Sequence, residues 1–531
     1  MASQLGTSGA VLPVGARLFS EEGPSWETLR TEALATPTGV QLEEHKRLWD
    51  EGGGPPHPDA LLRLFGTTGE PRVLLYRDAA VWCPYCQKVW MMLEEKQIPY
   101  RVEKINMRSY GEKPQSFLAK VPSGLLPAIS LDGRLMTESL VIMQTLEAEF
   151  PDNKRMLPDR DSPEFLEANR LLDLERELFR WWCQYVFRAG ESSREGFERV
   201  LDDVNSALSS SPGPWFLPGE EGFSLVDLTY VPHLERMAAS TAYWKGLQLR
   251  GNYRWSAINR WFEALEHRPA YMATKSDFYT HVRMLKASIT ALPSLSSYPL
   301  PTNGGKSVCP RVKRNTATHV HYPTCGDGCS KSRRVATTLM YPQVQDIPPQ
   351  YGNGQGVRRA SKMKAAIDGK DGSWSLPLPP LVASQGLEPV LAMNNPGDEA
   401  SRHEAAYKLT GNAEAVARFS ARGAGKGSGW GLLPGRAPLS DPYATPNLDV
   451  LPDVEYCLRR VASALLKGTL DEDAAALKGG AKSKGGDPRT AAAVEASLVY
   501  LRDRVGVPRD MGYPAARQLR AHLNWAIDNL K

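Results

Sequence analysis

Along the first seventy residues short amphipathic pieces such as GVQLEEHKRLWDEG alternate with Gly and Pro, and they read as an extension packed on a neighbouring domain. At Pro71 the pattern changes. RVLLYRD is an apolar run of strand length, and CPYCQKVWMMLEEKQI after it places apolar residues at helical spacing. PYRVEKINM then reads as a second strand, and VPSGLLPAISLDGRLMTESLVIMQTLEAEFP as turn, strand, Asp-Gly turn, strand and helix. The predicted order over 71–152 is β-α-β followed by β-β-α.

From 153 to 285 only helical patterns follow, among them FLEANRLLDLERELFRWWCQYVFRAG and LVDLTYVPHLERMAAS. Residues 286–395 are rich in Pro, Gly, Ser and basic side chains without a sustained period, so a disordered linker or insertion is expected there. Helical periodicity returns over 396–531, as in LPDVEYCLRRVASALLKG and MGYPAARQLRAHLNWAIDNL, and predicts an additional small helical module. The fold class is therefore α+β, with an all-α domain and a helical module appended.

Composition changes this picture in two places. The 531-residue chain is 42% hydrophobic, enough for about three cored domains, and no run of about 18 apolar residues predicts a membrane span. Its net charge of +4 is unevenly placed: between His281 and Lys370, 14 Lys and Arg face 3 Asp and Glu, so the remainder is acidic. Without interleaved aromatics or a known module, that basic stretch reads as a solvated linker, and no nucleic-acid partner is expected. Arg459, Arg460, Arg502, Arg504, Arg509, Arg517 and Arg520 in the terminal helices likewise read as a solvated face.

The seven cysteines are too few and odd in number for a secreted disulfide framework. The first residues lack a secretory signal, and their scarcity of acidic residues echoes a plastid transit peptide. A cytoplasmic protein is expected, with the plastid as the alternative.

The strongest chemical signal is Trp82-Cys83-Pro84-Tyr85-Cys86 at the strand-to-helix junction. A cysteine at a helix N-cap turns its sulfur toward the unpaired first-turn N–H groups and the positive end of the helix dipole, which favour thiolate. Pro84 suits the first turn, where its missing N–H has no partner. Cys83 is then the nucleophile, and Cys86, one turn further on the same face, is a resolving thiol or a buried small side chain. A zinc half-site is the other reading of C-x-x-C, but no second pair lies in the same domain. Cys309, His319, His321, Cys325 and Cys329 lie within 21 residues, yet in a spacing that matches no known module, and no metal site is assigned.

RVLLYRDAAVWCPYCQKVWMMLEEKQIPY, VPSGLLPAISLDGRLMTES and FSLVDLTYVPHLERM, in that order, resemble the glutathione transferase superfamily over about residues 71–285. The likeness is to its cysteine-type branch, the omega, lambda and dehydroascorbate-reductase-like classes, with a glutaredoxin-like CPYC. A YLRDRVxVPRDM-like segment, Tyr500–Met511 here, resembles an uncharacterised plant and algal subgroup with a helical C-terminal extension. The resemblance implies a thioredoxin-like domain over 71–152, with glutathione as co-substrate. Leu126 would pair its backbone with the cysteinyl part of glutathione ahead of a cis Pro127, Glu138 and Ser139 would receive the γ-glutamyl carboxylate, and Lys113 the glycyl carboxylate. Ser224 and Asp227 match a capping motif, and Trp181, Trp182, Tyr185 and Arg188 are core or line an electrophile pocket.

With cysteine in place of the hydroxyl used by other classes, the implied chemistry shifts from conjugation toward thiol transfer: deglutathionylation, dehydroascorbate reduction or reductive removal of a thioether, through a mixed disulfide. The implied partners are glutathione and a small electrophilic or disulfide substrate, with room for a homodimer and a role in detoxification. The alternatives are a non-catalytic scaffold on the same fold and a redox sensor read out by the terminal helices.

Overall fold

The computed structural model describes residues 11–20, 23–107, 110–187, 191–218, 222–289, 354–382, 386–429, 441–482 and 487–531. The elements open with helices α1 (Trp26–Ala35) and α2 (Pro37–Asp50). Strands β1 (Leu62–Arg63) and β2 (Val73–Asp78), helix α3 (Pro84–Glu95), strand β3 (Tyr100–Ile105) and helix α4 (Gln115–Lys120) follow. Strands β4 (Ala128–Leu131) and β5 (Arg134–Thr137) then lead into helix α5 (Ser139–Glu149).

The sheet order is β1-β3-β2-β4-β5. Strands β2 and β3 are parallel, with Val73 opposite Tyr100, and β4 and β5 run antiparallel to the centre, with Tyr76 opposite Ala128. This is the thioredoxin-like arrangement expected from the sequence, with one short edge strand, β1, in addition. Asp132 and Gly133 both take positive φ, 50° and 81°, as a two-residue hairpin turn between right-twisted strands requires. Strand β2 is buried on both faces. Val73 and Leu75 meet the main core, whereas Tyr76 meets Phe117 of α4. A central strand covered on both sides reads as the continuous apolar run seen in the sequence.

Helices α6 (Pro163–Phe187), α7 (Glu191–Ser210), α8 (Leu225–Ser240), α9 (Ser256–Leu265), α10 (Pro269–Met272) and α11 (Phe278–Ile289) form the all-helical domain. Every residue of α8 is buried, and one continuous core joins this domain to the sheet through α3. Ser224 caps α8 and Asp227 reaches back to the Ser224 N–H, completing the expected capping box; Trp261 donates to the same carboxylate at 2.8 Å.

Part of the stretch read as element-free is helical. Residues Gly354–Ile367 form a helix that runs so close to Gly246 that a Cβ there would lie 2.7 Å from the Ala360 nitrogen. Ile367 and Trp374 join the main core. The five Cys and His of 309–329 fall outside the described residues, as does most of the basic stretch.

Helices Asp398–Gly411, Ala413–Ser420, Leu451–Lys467, Asp471–Lys482, Pro488–Arg502 and Tyr513–Asn529 build a module with its own core. The N-terminal extension packs here, so both ends of the chain fold together. Leu18 and Phe19 are in that core, both of their N–H groups reach Asp453 Oδ1 at 3.1 and 3.3 Å, and Phe19 stacks on Tyr456 at 4.1 Å. The reading of the terminal arginines as one solvated face fails for Arg517 and Arg520, which are buried, because each finds a partner inside the protein: Pro379 O for Arg517 and Asp277 for Arg520. No helix among the described residues is long and apolar enough to cross a membrane.

Candidate redox site

Strand β2 delivers Asp78 to the top of the sheet, and the four residues after it turn the chain into α3. Asp78 Oδ2 accepts the Trp82 N–H at 2.5 Å and the Cys83 N–H at 3.1 Å, which fixes this turn from beneath. Cys83 is the N-cap of α3 in extended conformation, Pro84 is the first helical residue, and the Cys83 sulfur accepts the Cys86 N–H at 3.4 Å. The Cys83 thiol also faces the Leu126 carbonyl at 3.8 Å. Cys83 is 6% exposed and Cys86 2%, so the inner thiol is the more enclosed of the two, as the one-turn spacing implies. Burial first, then the neighbouring Cys83 and Asp78, push the Cys86 thiol well above the ordinary range.

Leu126 precedes a cis Pro127 and leads into β4. Ala128 of β4 pairs with Thr137 of β5, so Pro127 and Glu138 stand side by side just beyond that rung. Glu138 is exposed with φ of 70° at the N-cap of α5, and Ser139, the first residue of that helix, is buried. Free N–H groups at such an N-terminus suit a carboxylate. Lys113 is buried between β3 and α4, donates to Asn106 O at 2.9 Å, and runs its stem past Gly124, two residues before Leu126. The structure thus gathers Cys83, Cys86, Leu126 and Pro127 tightly, sets Glu138 and Ser139 beside them, and brings Lys113 along the same loop.

Trp182 and Tyr185 are core side chains: Trp182 donates to Ser240 Oγ at 2.9 Å and Tyr185 stacks on Phe197. The Trp181 ring lies against Gly196, and Arg188 falls outside the described residues.

Sequence reasoning missed two groups that hold the site. One is Asp78, whose only signal is an acidic residue ending an apolar strand just before the motif. The other is Arg236 of α8, which donates to the Trp82 carbonyl and at 3.2 Å to Gln87 Oε1, while Gln87 donates to Glu235 at 2.8 Å. All three side chains are buried, and they tie the helical domain to the first turns of α3. The adjacent charges in HLERM, inside an otherwise apolar helix, were the available signal.

Residues 82–149 match the family model for the glutathione S-transferase N-terminal domain, and residues 174–264 match that for its C-terminal domain. Residues 82–264 thus carry the two domain types of a glutathione S-transferase in order, N-terminal and then C-terminal. Glutathione S-transferase DHAR2 of Arabidopsis thaliana is 28% identical over 198 residues, 36% of this chain and 84% of that protein. Glutathione S-transferase omega-1 of Sus scrofa is 26% identical over 196 residues, 36% of this chain and 73% of its own. Glutathione transferase Omega 3C from Trametes versicolor, a solved structure, is 29% identical, with 39% of this chain and 91% of that one covered and a TM-score of 0.34. The dehydroascorbate-reductase and omega relatives support the cysteine-type branch for this part of the chain, with glutathione as co-substrate. The N-terminal extension and the C-terminal helical module lie outside the matched part.

Proposed function

We propose that the protein is a glutathione-dependent thiol transferase or reductase with Cys83 as nucleophile. Glutathione lies along Leu126 and Pro127, its γ-glutamyl carboxylate at Glu138 and Ser139 and its glycyl carboxylate toward Lys113. With a glutathionylated substrate, the Cys83 thiolate attacks the glutathione sulfur, the substrate leaves as a thiolate that takes up a proton, and Cys83 carries glutathione as a mixed disulfide. A second glutathione thiolate, or Cys86, then displaces it and returns Cys83 to the reduced or the internal disulfide form. With dehydroascorbate, two glutathione molecules supply the two electrons and leave as the disulfide.

The single observation behind this reading is the Cys83 sulfur at the N-cap of α3, receiving the Cys86 N–H and facing the backbone of Leu126. A hydroxyl at that position would serve conjugation; a sulfur can itself form and break the disulfide. Detoxification, and a reducing compartment such as the cytoplasm, belong to the same proposal.

The test is a screen of purified protein with glutathione against hydroxyethyl disulfide, dehydroascorbate and a conjugable aromatic halide. Turnover of the first or second supports the reading, and turnover of the halide alone refutes it.

A further inference from the structure

Asp78 is 1% exposed, and one of its carboxylate oxygens shares a cluster less than 4.8 Å across with the sulfurs of Cys83 and Cys86. Its bonds to the Trp82 and Cys83 N–H groups explain how a buried carboxylate is tolerated there. They do not explain why it stands beside two thiols.

Cys86 has a chemical problem that this placement answers. As a resolving thiol it must lose its proton, yet burial and its neighbours hold that proton on. Among the described residues, Cys83 and Asp78 are the neighbours that act most on the Cys86 thiol, and the acids of the helical domain nearest α3 are engaged elsewhere, Glu175 with His233 and Glu235 with Gln87. Arg77 of β2 donates to the Asp78 and Pro58 carbonyls and Arg236 of α8 to Trp82 O, while Lys88 of α3, its pKa lowered by burial, lies over the Tyr85 ring. Tyr110, which faces Met284 and the charge of Asp78, is held protonated by burial. Among the described residues, Asp78 is the carboxylate that shares this cluster, within direct or one-water reach of Cys86.

We propose that Asp78 is the general base of a dithiol branch, taking the Cys86 proton as Cys86 displaces glutathione from Cys83. The proton passes from Cys86 to the Asp78 carboxylate, and the Cys86 sulfur bonds to the Cys83 sulfur. The bond from Cys83 to glutathione breaks, and glutathione leaves as a thiolate that is protonated from Asp78 or solvent. Glutathione is reduced and the Cys83–Cys86 pair is oxidised, so electrons balance without another reactant. This step rests on the reading of Cys83 as the carrier of glutathione.

The experiment mixes reduced full-length protein with one equivalent of oxidised glutathione and follows the adduct by intact mass as it gives way to the internal disulfide. With Asp78 as base, the Cys86 proton moves in the same step as the sulfur, so adduct decay in the wild type does not track the thiolate fraction and changes far less than tenfold per pH unit from about 6 to 9. Asp78→Asn keeps an oxygen for the two N–H groups. Its adduct is expected to form normally, to decay about tenfold or more slowly near neutrality, and to speed up about tenfold per pH unit. Wild-type decay that itself climbs about tenfold per pH unit overturns the proposal, as does an Asp78→Asn adduct decaying at the wild-type rate. In both cases the Cys83 reading survives. A wild-type protein that forms no adduct removes that reading and this one together. Should the variant fold poorly, the wild-type pH profile decides alone.

Discussion

Arg520 donates to Asp277 at 2.5 Å, with both side chains about 1% exposed, and the other oxygen of Asp277 receives the Thr280 N–H at 3.1 Å in the first turn of α11. The helical module thereby grips the helix whose Met284 packs on Ala80 and Trp82, next to Cys83. Ser276 Oγ to Val507 O at 2.5 Å and Val507 N to Thr280 Oγ1 at 3.3 Å reinforce the same junction.

Removing one partner of a buried pair strands the other charge, so Arg520→Ala is expected to lower the unfolding free energy by about 3–5 kcal/mol. Arg72→Ala breaks the exposed pair with Asp132 and should cost less than about 1 kcal/mol. Urea denaturation of the two variants checks the contrast. Equal losses would mean that the junction is weaker than its burial implies.

Phe19 tests the union of the two chain ends. Its ring fills the terminal core against Tyr456, and Phe19→Ala is expected to cost about 3–5 kcal/mol through the cavity left behind. The loss should be measured by denaturation alongside glutathione affinity, which should be unchanged because the site lies in a different core.

Acid should loosen the same module. His522 is buried with its Nδ1 bonded to Gln518 O, and burial first, with the Arg402 charge adding, lowers it to about 4. A depressed histidine gives its full stability above its unfolded value near 6.5 and loses it as pH falls toward 4. The loss is about 3 kcal/mol across that window. His522→Gln should flatten this part of the stability profile; an unchanged slope would assign the acid sensitivity elsewhere.

Glutathione recognition separates from chemistry. Ser139→Ala and Lys113→Ala are expected to raise KM for glutathione by up to about tenfold each while changing kcat little, since both contacts would be kept from ground state to transition state. A fall in kcat without a rise in KM would contradict those placements.

The sheet and the cysteine site were legible because their signals are local: an apolar strand, a C-P-x-C cap, an Asp-Gly turn. What escaped depends on distant chain. The Gly354–Ile367 helix carries four basic side chains among its 14 residues, and is ordered by packing near Gly246. Arg520 looked like a surface charge because its partner is 243 residues away. Asp78 stands out only once folding brings it under the two sulfurs. Strand β1, two residues long, is too short for any periodicity to show.

The most direct measurement is glutathione-dependent reduction of hydroxyethyl disulfide by Cys83→Ser beside the wild type, with glutathione binding followed by calorimetry. The account expects reductase activity to fall by about a hundredfold or more while binding persists. Undiminished activity in that variant would contradict it.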